Sequence, residues 1–200
     1  MVGYRFMGSN KELFNVETVT PEEKEEILRI VKDTLHSYLR NGKIPDNLPC
    51  PERLKKYAGI FVTLKKRGML RGCIGFPYPI YPICKGAIEA TIAASQDDPR
   101  FPPVSAGELD DVEVEVTLLG SPVRTDPTTD DFVKNFKIGQ DGLIVSRGGY
   151  SGLLLPQVAL EEGFNIEEFL EATCLKAGLP RSSWKDPATE VYKFRGISFT

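Results

Sequence analysis

Histidine is almost missing from this chain: there is one, His36, in 200 residues. Cysteine hydrolases use an imidazole to take the thiol proton and return it to the leaving group, so a papain-like reaction would rest on that single side chain. Cysteine is sparse as well. Cys50, Cys73, Cys84 and Cys174 are scattered with no C-x-x-C pair, which argues against a zinc knuckle or a thioredoxin-like motif. No His/Asp/Glu cluster has ligand spacing, so no metal site is expected. A reducing cytosol would keep all four thiols free, and hyperthermophiles are the exception that leaves a disulfide open.

A charge excess is lacking too. Lys and Arg number 25 against 28 Asp and Glu, a net charge of −3, whereas nucleic-acid binders usually carry a basic surplus. The one basic run, Lys65-Lys66-Arg67, reads as a solvated turn. No run of 18 apolar residues exists to span a bilayer. The opening "MVGYRFMGSNKEL" has no apolar core of signal-peptide length. These absences give the expectation of a cytoplasmic protein with neither a membrane nor a nucleic-acid partner. G-x-G-x-x-G is absent, and "RGGYSG" at 147–152 lacks the lysine and the strand-loop-helix context of a phosphate-binding loop.

What is present suits a globular core, with 41% apolar residues. Thr20, Pro21 and Glu23 form a helix start with a capping box. Ile27, Ile30, Val31, Leu35, Tyr38 and Leu39 make its buried stripe. Arg29, Lys32, His36 and Arg40 fall on the wet face, and Asn41-Gly42 stops the helix. "NGKIPDNLPCPER" at 41–53 holds three prolines and reads as a connector. "SPVRTDPTTDD" at 121–131 reads as a second one.

"YAGIFVTLKKRGMLRGCIGF" reads as a hairpin whose first strand, Gly59 to Leu64, is central. Alternation puts Leu70, Gly72 and Ile74 on one face of the second strand, and Arg71, Cys73 and Gly75 on the other. A helix of small residues follows, with Ile83, Ala87, Ala90, Thr91 and Ala94 on one face, ending before Pro99. "DVEVEVTLLG" alternates strictly, with Glu113 and Glu115 on its wet face. "DGLIVSRGGYSGLLLP" is a second hairpin turning at Gly148-Gly149. A helix capped by Asn165 and Glu168 ends at Gly178, and Glu190 to Phe199 reads as a closing strand. Hairpins mixed with helices imply an α+β fold with a mixed, largely antiparallel sheet.

The chemistry-bearing candidates surround residues 69–79, "MLRGCIGFPYP". On one strand face, Arg71 and Cys73 would lie about 7 Å apart, and a guanidinium at that range favours thiolate. Gly72 and Gly75 would let a ligand, a helix or another backbone approach. A structural account stands beside this one: a buried thiol packs as a small apolar group, and the glycines make room for the alanine-rich helix. Asp97, Asp98 and Arg100 sit in the proline frame "DDPRFPP", either as an internal salt bridge or as the polar wall of a cleft. Cys84 reads as packing near a helix start, Cys174 as core, and Cys50 as exposed.

At "LRGCIG", residues 70–75, the chain resembles the AMMECR family, named for a chromosomal region linked to a human syndrome. "DPRFPPV", "EVEVTLLGSP", "GLLLPQVALEEGF" and "FLEATCLKAGLP" followed by Trp184 resemble later family blocks in the family's order, from about residue 18 to the C-terminus. Many relatives carry a glycine-aromatic or histidine-glycine pair where this chain has Gln140, Asp141 and Gly142, so no role for a histidine there transfers. The resemblance implies one AMMECR-like domain over 1–200, with a smaller subdomain and the hexapeptide near a groove. It names no reaction and no cofactor. It implies a Memo-type or radical-SAM protein as partner in a shared pathway. The expected function is a substrate-binding groove or a transferase-like modifying enzyme. Cys73 would be its nucleophile or contact, and Arg71, Gly72, Asp98, Arg100, Glu113 and Glu115 would bind substrate. The rival expectation is a non-catalytic interaction or regulatory domain, using the surfaces near Tyr78, Pro79, Phe101 and Pro102.

Overall fold

The computed structural model describes residues 11–200, so most of the opening stretch weighed above as a leader lies outside the described residues. These residues form two compact units, one of residues 11–120 with 197–200, the other of residues 121–196.

The first unit begins with α1 (Pro21–Asn41). The Thr20 side chain accepts from the Glu23 N–H, and the Glu23 carboxylate accepts from the Thr20 N–H, so the capping box read from the sequence is formed. Gly42, at φ 66°, ends the helix. The stripe Ile27, Ile30, Val31 and Leu35 is buried, while Lys32, His36 and Arg40 are exposed. Strands β1 (Gly59–Lys66), β2 (Met69–Phe76) and β3 (Val112–Leu119) pair antiparallel, with β1 central. The β1–β2 turn is made by Arg67 and Gly68, both with positive φ, as a tight hairpin requires. Period-two alternation sends Ile60, Val62 and Leu64, with their neighbours Val114, Val116 and Leu118, into one core with α1 and α2 (Ile83–Gln96). The small face of α2, Ala87, Ala90, Thr91 and Ala94, is buried there as its composition predicts.

The second unit contains β4 (Val123–Thr125), α3 (Asp130–Asn135), β5 (Asp141–Arg147), β6 (Tyr150–Leu154), α4 (Pro156–Glu161), α5 (Ile166–Lys176) and most of β7 (Glu190–Phe199). Its strands pair antiparallel in the order β4-β7-β5-β6. Phe132, Phe136, Leu143, Val145, Phe169, Leu170, Cys174 and Val191 form its core. Hairpins and packed helices together make this an α+β fold.

Two expectations are corrected. Residues 121–131 are not a bare connector, because they hold β4 and the first two residues of α3. A three-residue strand is too short to show a period in the sequence. Nor are the four thiols all free: Cys50 and Cys84 form a disulfide, with Cα atoms 6.0 Å apart. Cys84 is therefore more than packing. Tyr57 bridges to Pro82, and Ile83 N–H bonds the Lys56 carbonyl, which brings the end of the proline connector beside the first turn of α2. That juxtaposition is tertiary and leaves no mark on cysteine spacing.

Candidate functional site

The hexapeptide lies on β2, whose only strand partner among the described residues is β1. Cys73 stands opposite Thr63. Its own N–H and C=O point away from β1, toward the open side of the strand. There the Cys73 N–H donates to Asp98 Oδ2 at 2.8 Å, and Arg100 donates to the Cys73 carbonyl at 3.1 Å. Asp98 and Arg100 also pair with each other at 2.7 Å. One carboxylate and one guanidinium thus supply the acceptor and donor that a neighbouring strand would supply. The Asp98 side chain is 3% exposed and Arg100 45%. Hydrogen bonds from Arg100 lead in holding the Asp98 carboxyl down at about 2, with the Cys73 N–H assisting.

Arg71 does not join Cys73. The pairing Lys65↔Leu70 followed by Leu64↔Gly72 leaves Arg71 as an extra residue, a β-bulge. The bulge breaks the strict alternation that placed the two side chains on one face. Arg71 reaches Glu108 with two nitrogens, at 3.1 and 3.0 Å, and Lys66 reaches the same carboxylate at 2.9 Å. Arg71 also donates to the carbonyls of Pro102 and Pro103. Its side chain is 13% exposed. Bonds from Arg71 lead in pulling the Glu108 carboxyl well below the usual carboxylate range, followed by the Ser105 N–H and Lys66. The same slip moves Leu70 to the face of Lys65, away from Gly72, and leaves it exposed.

Cys73 instead belongs to a polar row across the sheet: Cys73 opposite Thr63, and Thr63 opposite Glu115. The Thr63 hydroxyl donates to Cys73 Sγ at 3.2 Å. Glu115 pairs with Lys65 at 3.0 Å. Burial pushes the Cys73 thiol above its ordinary pKa, and the Asp98 and Glu115 charges add to this. The Thr63 hydroxyl and Arg100 pull the other way without prevailing. Glu113 and Glu115 line an open hollow of about 440 Å³ with Lys32, Lys65 and Thr200, and Cys73 is not among its lining residues.

Both glycines of the hexapeptide are filled by the protein itself. A Cβ on Gly72 would stand 2.1 Å from the Ala94 carbonyl oxygen of α2, and one on Gly75 2.2 Å from the Ile60 carbonyl oxygen and 2.5 Å from the Phe61 ring. So the fold brings together Cys73, Asp98 and Arg100, with Glu115 two strands across in the same polar row. It sends Arg71 to Glu108 and Gly72 to α2, and Glu113 lines the same hollow as Glu115. Among the described residues no group of three His, Cys, Asp or Glu is arranged to hold a metal ion, and no helix is long and apolar enough to cross a membrane.

The AMMECR1 family model matches residues 28–199, which contain every residue of this cluster. The chain belongs to the AMMECR1 family. A protein of Thermococcus gammatolerans is 46% identical over 189 residues, covering 90% of this chain and 91% of its own. One from Methanothermobacter thermautotrophicus is 46% identical over 182 residues, covering 89% and 94%. The crystal structure of an uncharacterized protein from Pyrococcus horikoshii superposes with a TM-score of 0.82 at 45% identity, covering 90% of this chain and 92% of that one.

Two residues that hold this arrangement, Thr63 beside Cys73 and Glu108 on Arg71, escaped the sequence reading. Thr63 was legible, since alternation along β1 sets it opposite to Val62 and Leu64. Glu108 was legible only as the end of a capping box from Ser105, because its partner Arg71 lies 37 residues away.

Proposed function

We propose that this AMMECR1-family chain is a binding domain whose hexapeptide is scaffold and not catalyst. The observation that carries this reading is that the motif's polar groups are committed to the protein itself. Arg71 is held by Glu108 and two carbonyls, and Asp98 and Arg100 are spent on the backbone of Cys73. A nucleophilic cysteine needs a thiolate near neutral pH. Here burial drives the thiol the other way, and Arg71, the cation expected to activate it, is engaged elsewhere.

The partner is another protein. Met69, Leu70 and Ile80 are exposed apolar side chains at or near the hexapeptide, and Pro102 and Pro103 are exposed on a loop fixed by Arg71. Rigid, pre-organised apolar surface lowers the entropic cost of association. Of the surface expected near Tyr78 and Pro79, Pro79 is buried and Tyr78 half-buried, while the adjoining Ile80 is exposed.

The competing account is a transferase-like enzyme acting through Cys73, and thiol reactivity separates the two. Cys174 is fully buried and Cys50 is bonded to Cys84, so Cys73 is the one accessible free thiol among the described residues. Alkylation of the native protein across pH, with the Cys73→Ala variant as blank, should show a midpoint above the ~8.5 of a free cysteine. A midpoint below about 7 would mark an activated thiolate and defeat the scaffold reading.

A further inference from the structure

The wet face of α1 carries a row of side chains that the fold leaves unused. Lys32, His36 and Arg40 are four residues apart, so they lie one above the other and the row runs about 12 Å along the helix. All three are exposed, and none has a hydrogen bond or ion pair among the described residues. For Arg40 this is an exception. Every other arginine among the described residues meets a carboxylate within 4.0 Å.

The row forms one wall of an open hollow of about 650 Å³, and Pro45, Asn47 and Leu48 of the proline connector form the other. That second wall is pinned. The Ser37 hydroxyl donates to the Lys43 carbonyl at 2.8 Å, Leu48 packs against the core, and Cys50 is bonded to Cys84. Asp33 is the one carboxylate lining the hollow, and Arg29 already meets it at 3.6 Å. The hollow thus presents an ammonium, a guanidinium and an imidazole to solvent without a countercharge, in a chain whose net charge is −3. Asn41 and Asn47 add carboxamide N–H groups, and Pro45 and Leu48 a half-buried apolar ledge.

The row is also bounded. One turn before Arg29 the exposed side chains of α1 are Glu22 and Glu25, and the helix ends at Gly42. An extended polyanion such as a nucleic-acid strand would run into the acidic turn, whereas a short one fits between the two limits. Guanidinium and ammonium groups are the usual partners of phosphate oxygens. We infer that this hollow binds a short phosphate chain. Arg40 forks onto one phosphate group, Lys32 meets another, and His36 and the two asparagines donate to the oxygens between them. The chain comes either from inorganic polyphosphate or from a nucleoside polyphosphate whose ring rests on the Pro45–Leu48 ledge. The site is independent of the reading given for Cys73.

His36 is the single histidine, so in the untagged full chain the imidazole NMR signals report on this hollow alone. The chain is titrated at fixed ionic strength, without divalent cations, with tripolyphosphate, adenosine triphosphate, citrate and a short oligothymidylate. Tripolyphosphate or adenosine triphosphate should shift the signals saturably, and citrate should bind about tenfold more weakly. Arg40→Gln should weaken binding about tenfold and Lys32→Gln about threefold. Both residues are exposed and unpaired, so Tm should stay at the parent value in each variant. Lys134→Gln removes one exposed charge from the other unit and should leave the affinity unchanged. Tighter binding of adenosine triphosphate identifies a nucleoside polyphosphate as the source, and equal or tighter binding of tripolyphosphate the inorganic chain. No saturable shift with either polyphosphate, citrate binding as well as they do, a tighter hold on the oligothymidylate, or an equal loss in Lys134→Gln and Arg40→Gln overturns the inference.

Discussion

The main-chain N–H of Cys73 is bonded by the side chain of Asp98 at 2.8 Å, and the same residue's carbonyl by Arg100, the partner of Asp98. The "DPRFPP" loop therefore finishes the edge of the "LRGCIG" strand, and Arg71 returns the grip by holding the carbonyls of Pro102 and Pro103. The two segments form one clamp that shields an otherwise open strand edge from pairing with another chain.

Asp98→Ala should cost about 2–3 kcal/mol, because it leaves the Cys73 N–H without its acceptor and Arg100 without its counterion. Urea denaturation measures the loss. In a double-mutant cycle with Arg100→Ala the two losses should be strongly non-additive, since the residues share one network. Simple additivity would mean that the clamp does not act as a unit.

Acid should loosen the clamp in a defined window. Asp98 titrates near 2 in the folded chain and near 4 when unfolded, so its contribution is complete above about pH 4. It is lost as the pH falls from about 4 through 2. Because Arg100 is half exposed, the contribution is discounted to about 1–2 kcal/mol. Stability against urea from pH 5 to 2 should fall less steeply in Asp98→Asn than in the parent chain.

Two glycine substitutions should separate packing from backbone conformation. Gly72→Ala puts a methyl group against the Ala94 carbonyl and forces α2 off the sheet, costing about 2–3 kcal/mol or abolishing folding. Gly68→Ala meets no atom within 4 Å but holds φ 75°, so its cost should be about 1–2 kcal/mol. Thermal melts of both variants test the order.

The disulfide links residues 34 apart in sequence. On the chain-entropy account a loop of this length stabilises by about 3–4 kcal/mol. Cys50→Ser, or treatment with a dithiol reductant, should lower Tm accordingly, and the reductant should have no further effect on the Cys50→Ser variant.

Local pattern was enough for the elements of this protein. Thr20 and Glu23 wrote the start of α1, and the alternation of "VEVEVTLL" wrote β3. Gly148-Gly149 wrote the second hairpin, and the order of the motif blocks wrote the family. Each of these signals acts between residues close in the chain, where backbone geometry dictates periodicity and caps. The candidate site depended on relations the chain makes only when folded. A single extra residue at Arg71 turned it from Cys73 to Glu108, and strand alternation carries no mark of such a bulge. The pairing of Cys50 with Cys84 and the capture of Cys73 by Asp98 likewise join segments 34 and 25 residues apart. Tertiary packing alone set those distances, because non-local contacts follow from how whole faces bury and not from the spacing of the residues that meet.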